Sequence, residues 1–200
     1  MMFLIIGGAG SGKSAFAEDL LVNLSGNKMS RVYIATMEPY GEEAAARIRK
    51  HREARARKNF ITCERYVNLA GLTDEDFIKS AADKNLNLNL DLNSAILLEC
   101  LGNLCANELY SANGAGENTE DAIWRGILNL YAKCKILIIV SNEIFCGGKD
   151  YQGDTERYLR ILARLNRKIA ALSDGVCEIS CGVPVWYKLN ENLDKNLIKI

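Results

Sequence analysis

Near its start the chain carries Gly7-Gly8-Ala9-Gly10-Ser11-Gly12-Lys13-Ser14, which satisfies G-x-x-x-x-G-K-[ST] between the apolar run Met2-Phe3-Leu4-Ile5-Ile6 and a helical stretch beginning Ala15-Phe16-Ala17. The chemistry served by this spacing is the holding of a nucleotide's phosphates. Backbone N–H groups must converge on phosphate oxygens, and side chains at the glycines would block both the approach and the positive φ values. Lys13 would lie along the β- and γ-phosphates and Ser14 would hold Mg²⁺, while the helix that starts there turns its positive dipole end to the anion. A chance glycine-rich turn is the alternative, and it needs both flanking elements to be coincidental.

Further positions have chemistry to offer. Glu99 closes the apolar run Ser94-Ala95-Ile96-Leu97-Leu98, and a carboxylate at the carboxyl end of a buried strand stands on the edge where open parallel sheets bind ligands. It can hold the Mg²⁺–water shell opposite Ser14 there, or, alternatively, cap the next helix. Asn142 and Glu143 end another apolar run in the same way, with a less constrained role. His51 is the one histidine, in a stretch from Arg47 to Lys58 where seven of twelve residues are Arg or Lys. On a helix Arg47, His51 and Arg55 share one face, and like charges stacked this way point to an anionic ligand. Neighbouring cations disfavour the imidazolium form, so His51 is expected to be neutral near pH 7. A neutral imidazole is a competent nucleophile towards phosphorus and would form a phosphoramidate. The plainer alternative is a solvated basic helix with an incidental histidine.

These residues need a scaffold, and 200 residues with 48% hydrophobic and 25% charged content suffice for one ordinary domain spanning 1–200. With 25 basic and 25 acidic residues the net charge is zero, which implies no global attraction to nucleic acid or an anionic membrane. Seven scattered cysteines, several inside apolar runs, favour reduced buried thiols in a cytoplasmic protein over disulfides, and one histidine assembles no zinc site. No apolar run approaches a membrane span and no signal peptide is read. Strands are predicted at 2–6, 31–36, 60–64, 94–99, 135–141 and 176–181. Helices are predicted at 13–24, 41–58, 73–84, 103–110 and 119–132, with a last one carrying Tyr158, Leu162, Leu165, Ile169 and Leu172 on one face. The Asn/Leu alternation at 85–93 reads as a linker or edge segment of low complexity, and Gly182-Val183-Pro184 as the break that ends the last strand. Strand, helix, strand alternation makes the fold class α/β, a three-layer P-loop NTPase-like domain with a mostly parallel central sheet.

In this order, the motif at 7–14, Tyr33-Ile34-Ala35-Thr36, Ala45-Ala46-Arg47-Ile48 leading to His51, Thr62-Cys63-Glu64, Leu97-Leu98-Glu99-Cys100 and Ser141-Asn142-Glu143 form a specific series. Asn166, Asp174 and Gly182-Val183-Pro184 extend it. With this series the chain resembles the bifunctional adenosylcobinamide kinase/adenosylcobinamide-phosphate guanylyltransferase family of cobalamin nucleotide-loop assembly. The resemblance implies that His51 becomes guanylylated. It places nucleotide contacts on Gly7 to Ser14, Ala35, Thr36, Met37, Arg52, Glu53, Ala54, Arg55, Glu64 and Glu99. It implies Mg²⁺, ATP or GTP as co-substrate, a corrinoid acceptor and a homo-oligomer, a trimer, with sites near subunit boundaries.

The reactions so implied are phosphoryl transfer to the hydroxyl of the acceptor's aminopropanol arm, aided by Lys13, and then GMP transfer from GTP through His51. The chain departs from the family pattern where Arg55 is followed by Ala56, at Gly102 and Asn103, and in the loop after Glu143. These changes touch the expected corrinoid contacts more than the nucleotide. The rival readings are another P-loop small-molecule kinase, with His51 only part of a phosphate-binding helix, and a non-catalytic nucleotide-binding module.

Overall fold

In a computed structural model, residues 1–27, 29–39, 58–82, 94–147, 151–193 and 198 are described. The helix predicted at 41–58 and the Asn/Leu-rich stretch at 85–93 fall, apart from Lys58, outside them. Six strands, β1 Met2–Gly7, β2 Ser30–Ala35, β3 Phe60–Glu64, β4 Ser94–Glu99, β5 Ile136–Asn142 and β6 Gly175–Ser180, run parallel. A seventh, β7 Val183–Leu189, runs antiparallel to β6, and the sheet order is β3-β2-β4-β5-β1-β6-β7. The helices are α1 Lys13–Ser25, α2 Asp74–Ala82, α3 Leu101–Tyr110, α4 Thr119–Lys133 and α5 Asp154–Leu172.

A strand covered on both faces must be apolar throughout, and β1 and β5 read that way. Phe3 and Ile5 face one core with Phe16, Ala17, Leu20 and Leu21 of α1. Met2 and Leu4 face the other core, with Leu101 and Leu104 of α3, Ile123 and Ile127 of α4 and Leu162, Leu165 and Ile169 of α5. The spacing of three and four among these residues turns one stripe of each helix to the sheet. At the start of α2 the carboxylate of Asp76 accepts from the backbone N–H of Thr73 at 2.9 Å and from its hydroxyl at 3.0 Å, the capping expected there. Those two bonds hold the Asp76 carboxyl below its usual range.

The last strand corrects the sequence reading. Gly182-Val183-Pro184 does not end the sheet: Cys181 at φ 51° and Gly182 at φ 80° make a two-residue turn, and Val183–Leu189 returns along β6. Two successive left-handed residues match the twist of a tight hairpin. Pro184 is tolerated because β7 lies at the sheet's edge. Trp186 brings β7 under the core, its ring centroid 6.3 Å from those of Phe3 and Phe16.

Candidate functional site

Parallel register sets the site. Ala35 pairs with Glu64 on one side and with Glu99 on the other, so three adjacent strands end level, with a carboxylate on each flank. Gly7 pairs with Asn142, which puts the end of β5 beside the start of the glycine-rich loop. Because β5 lies between β4 and β1, Asn142 stands between Glu99 and that loop.

The loop is built for close approach. Gly12, at φ 91°, caps α1, a conformation costly for any residue with a Cβ. A Cβ on Gly7 would lie 2.6 Å from Ser11 Oγ and 2.7 Å from the carbonyl oxygen of Ile179. Braces come from both sides, since Glu143 N–H donates to Gly7 O at 3.0 Å and Gly182 N–H donates to Ser11 O at 2.9 Å. Lys13 is 9% exposed and donates from Nζ to Gly8 O at 3.1 Å, folded back over its own loop. Ser14 donates from Oγ to Glu99 Oε1 at 2.5 Å. A hydroxyl and a carboxylate oxygen thus converge where the helix begins.

A cleft of about 650 Å³ opens here, lined by Ala9 to Ala15, Tyr33, Ala35, Met37, Glu64, Glu99, Cys100, Asn103, Asn142 and Ile144. Volume and mixed lining suit a nucleotide-sized ligand. Of the residues proposed from sequence, Ala9, Gly10, Ser11, Gly12, Lys13, Ser14, Ala35, Met37, Glu64 and Glu99 line this cleft together, while Gly7 and Gly8 fall outside its lining. His51, Arg52, Glu53, Ala54 and Arg55 lie outside the described residues.

Thr36 is placed differently from its neighbours. Its side chain is fully buried, accepting from Cys100 N–H at 2.7 Å and donating to Cys100 O at 2.8 Å, while its own N–H donates to Glu99 O at 2.9 Å. It clasps the end of β4 and so fixes where Glu99 points; it does not line the cleft. Glu64 accepts from Tyr66 Oη at 2.8 Å at the cleft's outer edge. Burial, and then the charge of Glu99, push the Cys100 thiol up to about 11, which makes it an inert lining group.

Tyr33, Asn103 and Ile144 of this lining were not foreseen. Asn142 is read in the sequence as a strand end and as part of the family series, and its place at the centre of the site comes from strand order. Gly102 has a structural reason: a Cβ there would lie 3.1 Å from both Asn142 Nδ2 and Tyr158 Oη. Among the described residues no group of three or more His, Cys, Asp or Glu could hold a metal ion, and no helix is long and apolar enough to cross a membrane. The Ser14 and Glu99 oxygens nevertheless fit Mg²⁺, a hard ion that takes few protein ligands and completes its shell with phosphate and water.

Comparison with known proteins agrees with this picture. A family model described as CobU, cobinamide kinase / cobinamide phosphate guanyltransferase, matches residues 3–186. The bifunctional adenosylcobalamin biosynthesis protein CobU of Escherichia coli (strain K12) is 30% identical over 199 residues, covering 94% of this chain and 100% of that protein. The protein of the same description from Salmonella typhimurium is 31% identical over 199 residues, with the same coverage of 94% and 100%. Among solved structures, a KaiC-like protein from Pyrococcus horikoshii OT3 superimposes with a TM-score of 0.51 at 11% identity, over 95% of this chain and 80% of that one. That last likeness is one of fold, the P-loop NTPase-like arrangement.

Proposed function

Because the chain belongs to the cobinamide kinase / cobinamide phosphate guanyltransferase family, we propose that the cleft at the carboxyl edge of its sheet serves both family reactions within one domain. The observation that carries this is the convergence of Lys13, Ser14 and Glu99 at the mouth of one cleft on a braced glycine-rich loop.

In the kinase reaction the loop's N–H groups and α1's N-terminus receive the phosphates of ATP or GTP. Lys13, freed from Gly8 O, turns to the terminal phosphoryl group. The hydroxyl oxygen of the acceptor's arm attacks the γ-phosphorus, the bond to the β-phosphate oxygen breaks, and the nucleoside diphosphate leaves. The hydroxyl proton passes to solvent or phosphate. Lys13 stabilises the negative charge that spreads over the transferring oxygens. Ser14 and Glu99 would hold Mg²⁺, which would neutralise negative charge on the nucleotide's phosphates.

In the second reaction a neutral His51 nitrogen attacks the α-phosphorus of GTP, and pyrophosphate leaves as the bond to the β-phosphate oxygen breaks. A phosphate oxygen of cobinamide phosphate then attacks the same phosphorus, the P–N bond breaks, and the cobinamide carries GDP. Arg52, Arg55 and their neighbours would keep the α-phosphate's charge compensated through both displacements. Division into two steps needs only a nucleophile within reach of the α-phosphate. The reading further includes cytoplasmic location and a homo-oligomer, a trimer, with sites near subunit boundaries.

The test is intact mass after incubation with GTP and Mg²⁺, beside His51→Ala. A GMP adduct on the wild type alone, labile in acid and stable in alkali, is expected. A folded, GTP-binding wild type that acquires no adduct would refute the histidine step.

A further inference from the structure

A second cavity lies next to the first. On the sheet face carrying α3, α4 and α5, a groove of about 610 Å³ runs beside α5, floored by Leu4, Ile6 and Val176. Ala163 and Ala170 form its α5 wall and, being short, keep it open. Asn142 lines both this groove and the nucleotide cleft, so the two spaces lie on either side of it at the carboxyl edge of β5.

Three features suit one kind of occupant. The floor is apolar. Asn166 contributes a buried amide oxygen, Oδ1, with no hydrogen-bond partner among the described residues, an acceptor in want of an N–H. Arg160, Arg164 and Arg167 stand on the rim. Arg160 is paired with Glu156 and Arg164 with Glu120, whereas Arg167 has no carboxylate partner among the described residues. A nucleotide alone needs none of this.

We propose that this groove binds the body of cobinamide, the acceptor of the reactions assigned above to the nucleotide cleft; the inference rests on that assignment. Cobinamide is a broad macrocycle with an apolar face and amide groups around its edge. The floor would take the ring and Asn166 Oδ1 would accept an N–H from a peripheral amide. The reacting arm passes Asn142 into the cleft, where its hydroxyl meets the terminal phosphate. Once phosphorylated, the acceptor carries a phosphomonoester, and the guanidinium rim matches that charge. The same seat then serves both reactions, the arm alone changing its chemistry.

Equilibrium dialysis of cobinamide and of ATP against wild type, Ala163→Trp, Asn166→Ala and Arg167→Glu tests this, with steady-state kinetics and light-scattering mass on the same samples. Ala163→Trp, which fills the groove, and Asn166→Ala are each expected to weaken cobinamide binding and raise its KM at least about tenfold while ATP binding moves less than about twofold. Arg167→Glu should raise the KM for cobinamide phosphate more than that for cobinamide. Should Ala163→Trp fail to fold, as ATP binding reports, the other two variants carry the test. Unchanged cobinamide affinity in the variants, beside normal wild-type turnover, overturns the groove and leaves the cleft's function intact. Altered assembly mass with unchanged cobinamide affinity also overturns it, since a second copy of the chain would then be the occupant. A wild type that binds ATP but never phosphorylates cobinamide defeats the assignment of the cleft and this inference with it.

Discussion

Thr36→Val replaces a buried hydroxyl with a methyl of nearly the same shape, so almost nothing changes but hydrogen bonding. Thr36 Oγ1 is the acceptor for Cys100 N–H at 2.7 Å and a donor to Cys100 O at 2.8 Å. The carbonyl keeps a second donor, since Leu104 N–H reaches it at 3.1 Å. The N–H is therefore the group left orphaned, at a residue only 7% exposed. An unsatisfied buried donor costs about 1–3 kcal/mol, and each kcal/mol moves the Tm of a chain this long by about 2–4 °C. The expected fall in Tm is about 2–12 °C by differential scanning calorimetry. Because the released residue follows Glu99 directly, kcat for phosphoryl transfer should fall as well, with Thr36→Ser restoring most of both. A Thr36→Val protein melting within about 1 °C of wild type would refute the clasp, and one that loses stability but keeps full kcat would refute its link to Glu99.

Glu108 is 2% exposed and accepts from Asn68 N–H at 2.6 Å and Ala115 N–H at 2.9 Å, tying two loops together. Glu108→Gln turns an amide NH₂ against one of these donors and should cost about 2 kcal/mol, read as a lower urea midpoint at unchanged m. Thiol labelling should find two reactive cysteines in the native protein, Cys146 and Cys181, and all seven in urea. Burial pushes Cys105 and Cys134 up to about 12, and any fast labelling of these would contradict the packing. Hydrogen bonding to Glu143 raises the Cys146 thiol, so Glu143→Gln should speed its labelling at pH 8. At Lys58, burial pulls the ammonium down, but hydrogen bonds to Asp19 at 2.7 Å and Glu18 at 3.0 Å prevail and leave it above 10.5. Its contribution is thus full below pH 10.5 and fades as pH rises through the higher folded value. The Tm gap between wild type and Lys58→Met should be constant from pH 7 to about 10 and shrink above that; a gap that widens at alkaline pH would contradict the sign.

What was legible in the sequence followed from covalent neighbours. The motif at 7–14, the strand ending on Glu99 and the apolar stripe of α5 each declare themselves within a short window, and all three lie where expected. Strand order does not declare itself so. That β5 inserts between β4 and β1, carrying Asn142 to the centre of the site, depends on its pairing with β1, whose partners such as Met2 and Leu137 are far apart in the chain. Thr36 looked like its neighbours Ala35 and Met37 because alternation around a strand end is lost once the chain leaves the sheet. β7 was concealed by its own turn: Gly182 and Pro184 are breakers in most settings, yet here one supplies positive φ and the other sits on an edge strand. Asn166 stood out only as one residue of the family series; that its amide oxygen is buried without a partner could not be read from an arginine-rich helix, where an asparagine reads as solvent-facing.

The hydrogen bond from Gly182 to Ser11 has a consequence for synthesis on the ribosome. The phosphate loop emerges early, but β1 is bordered on both sides by strands made late, β5 and β6, and its loop is steadied by the turn that follows β6. The bracing of the nucleotide motif is therefore complete only once strands made much later have joined the sheet and the β6–β7 turn has formed. ATP, by favouring only the closed chain, would reward completion of folding and give no purchase to a partial product.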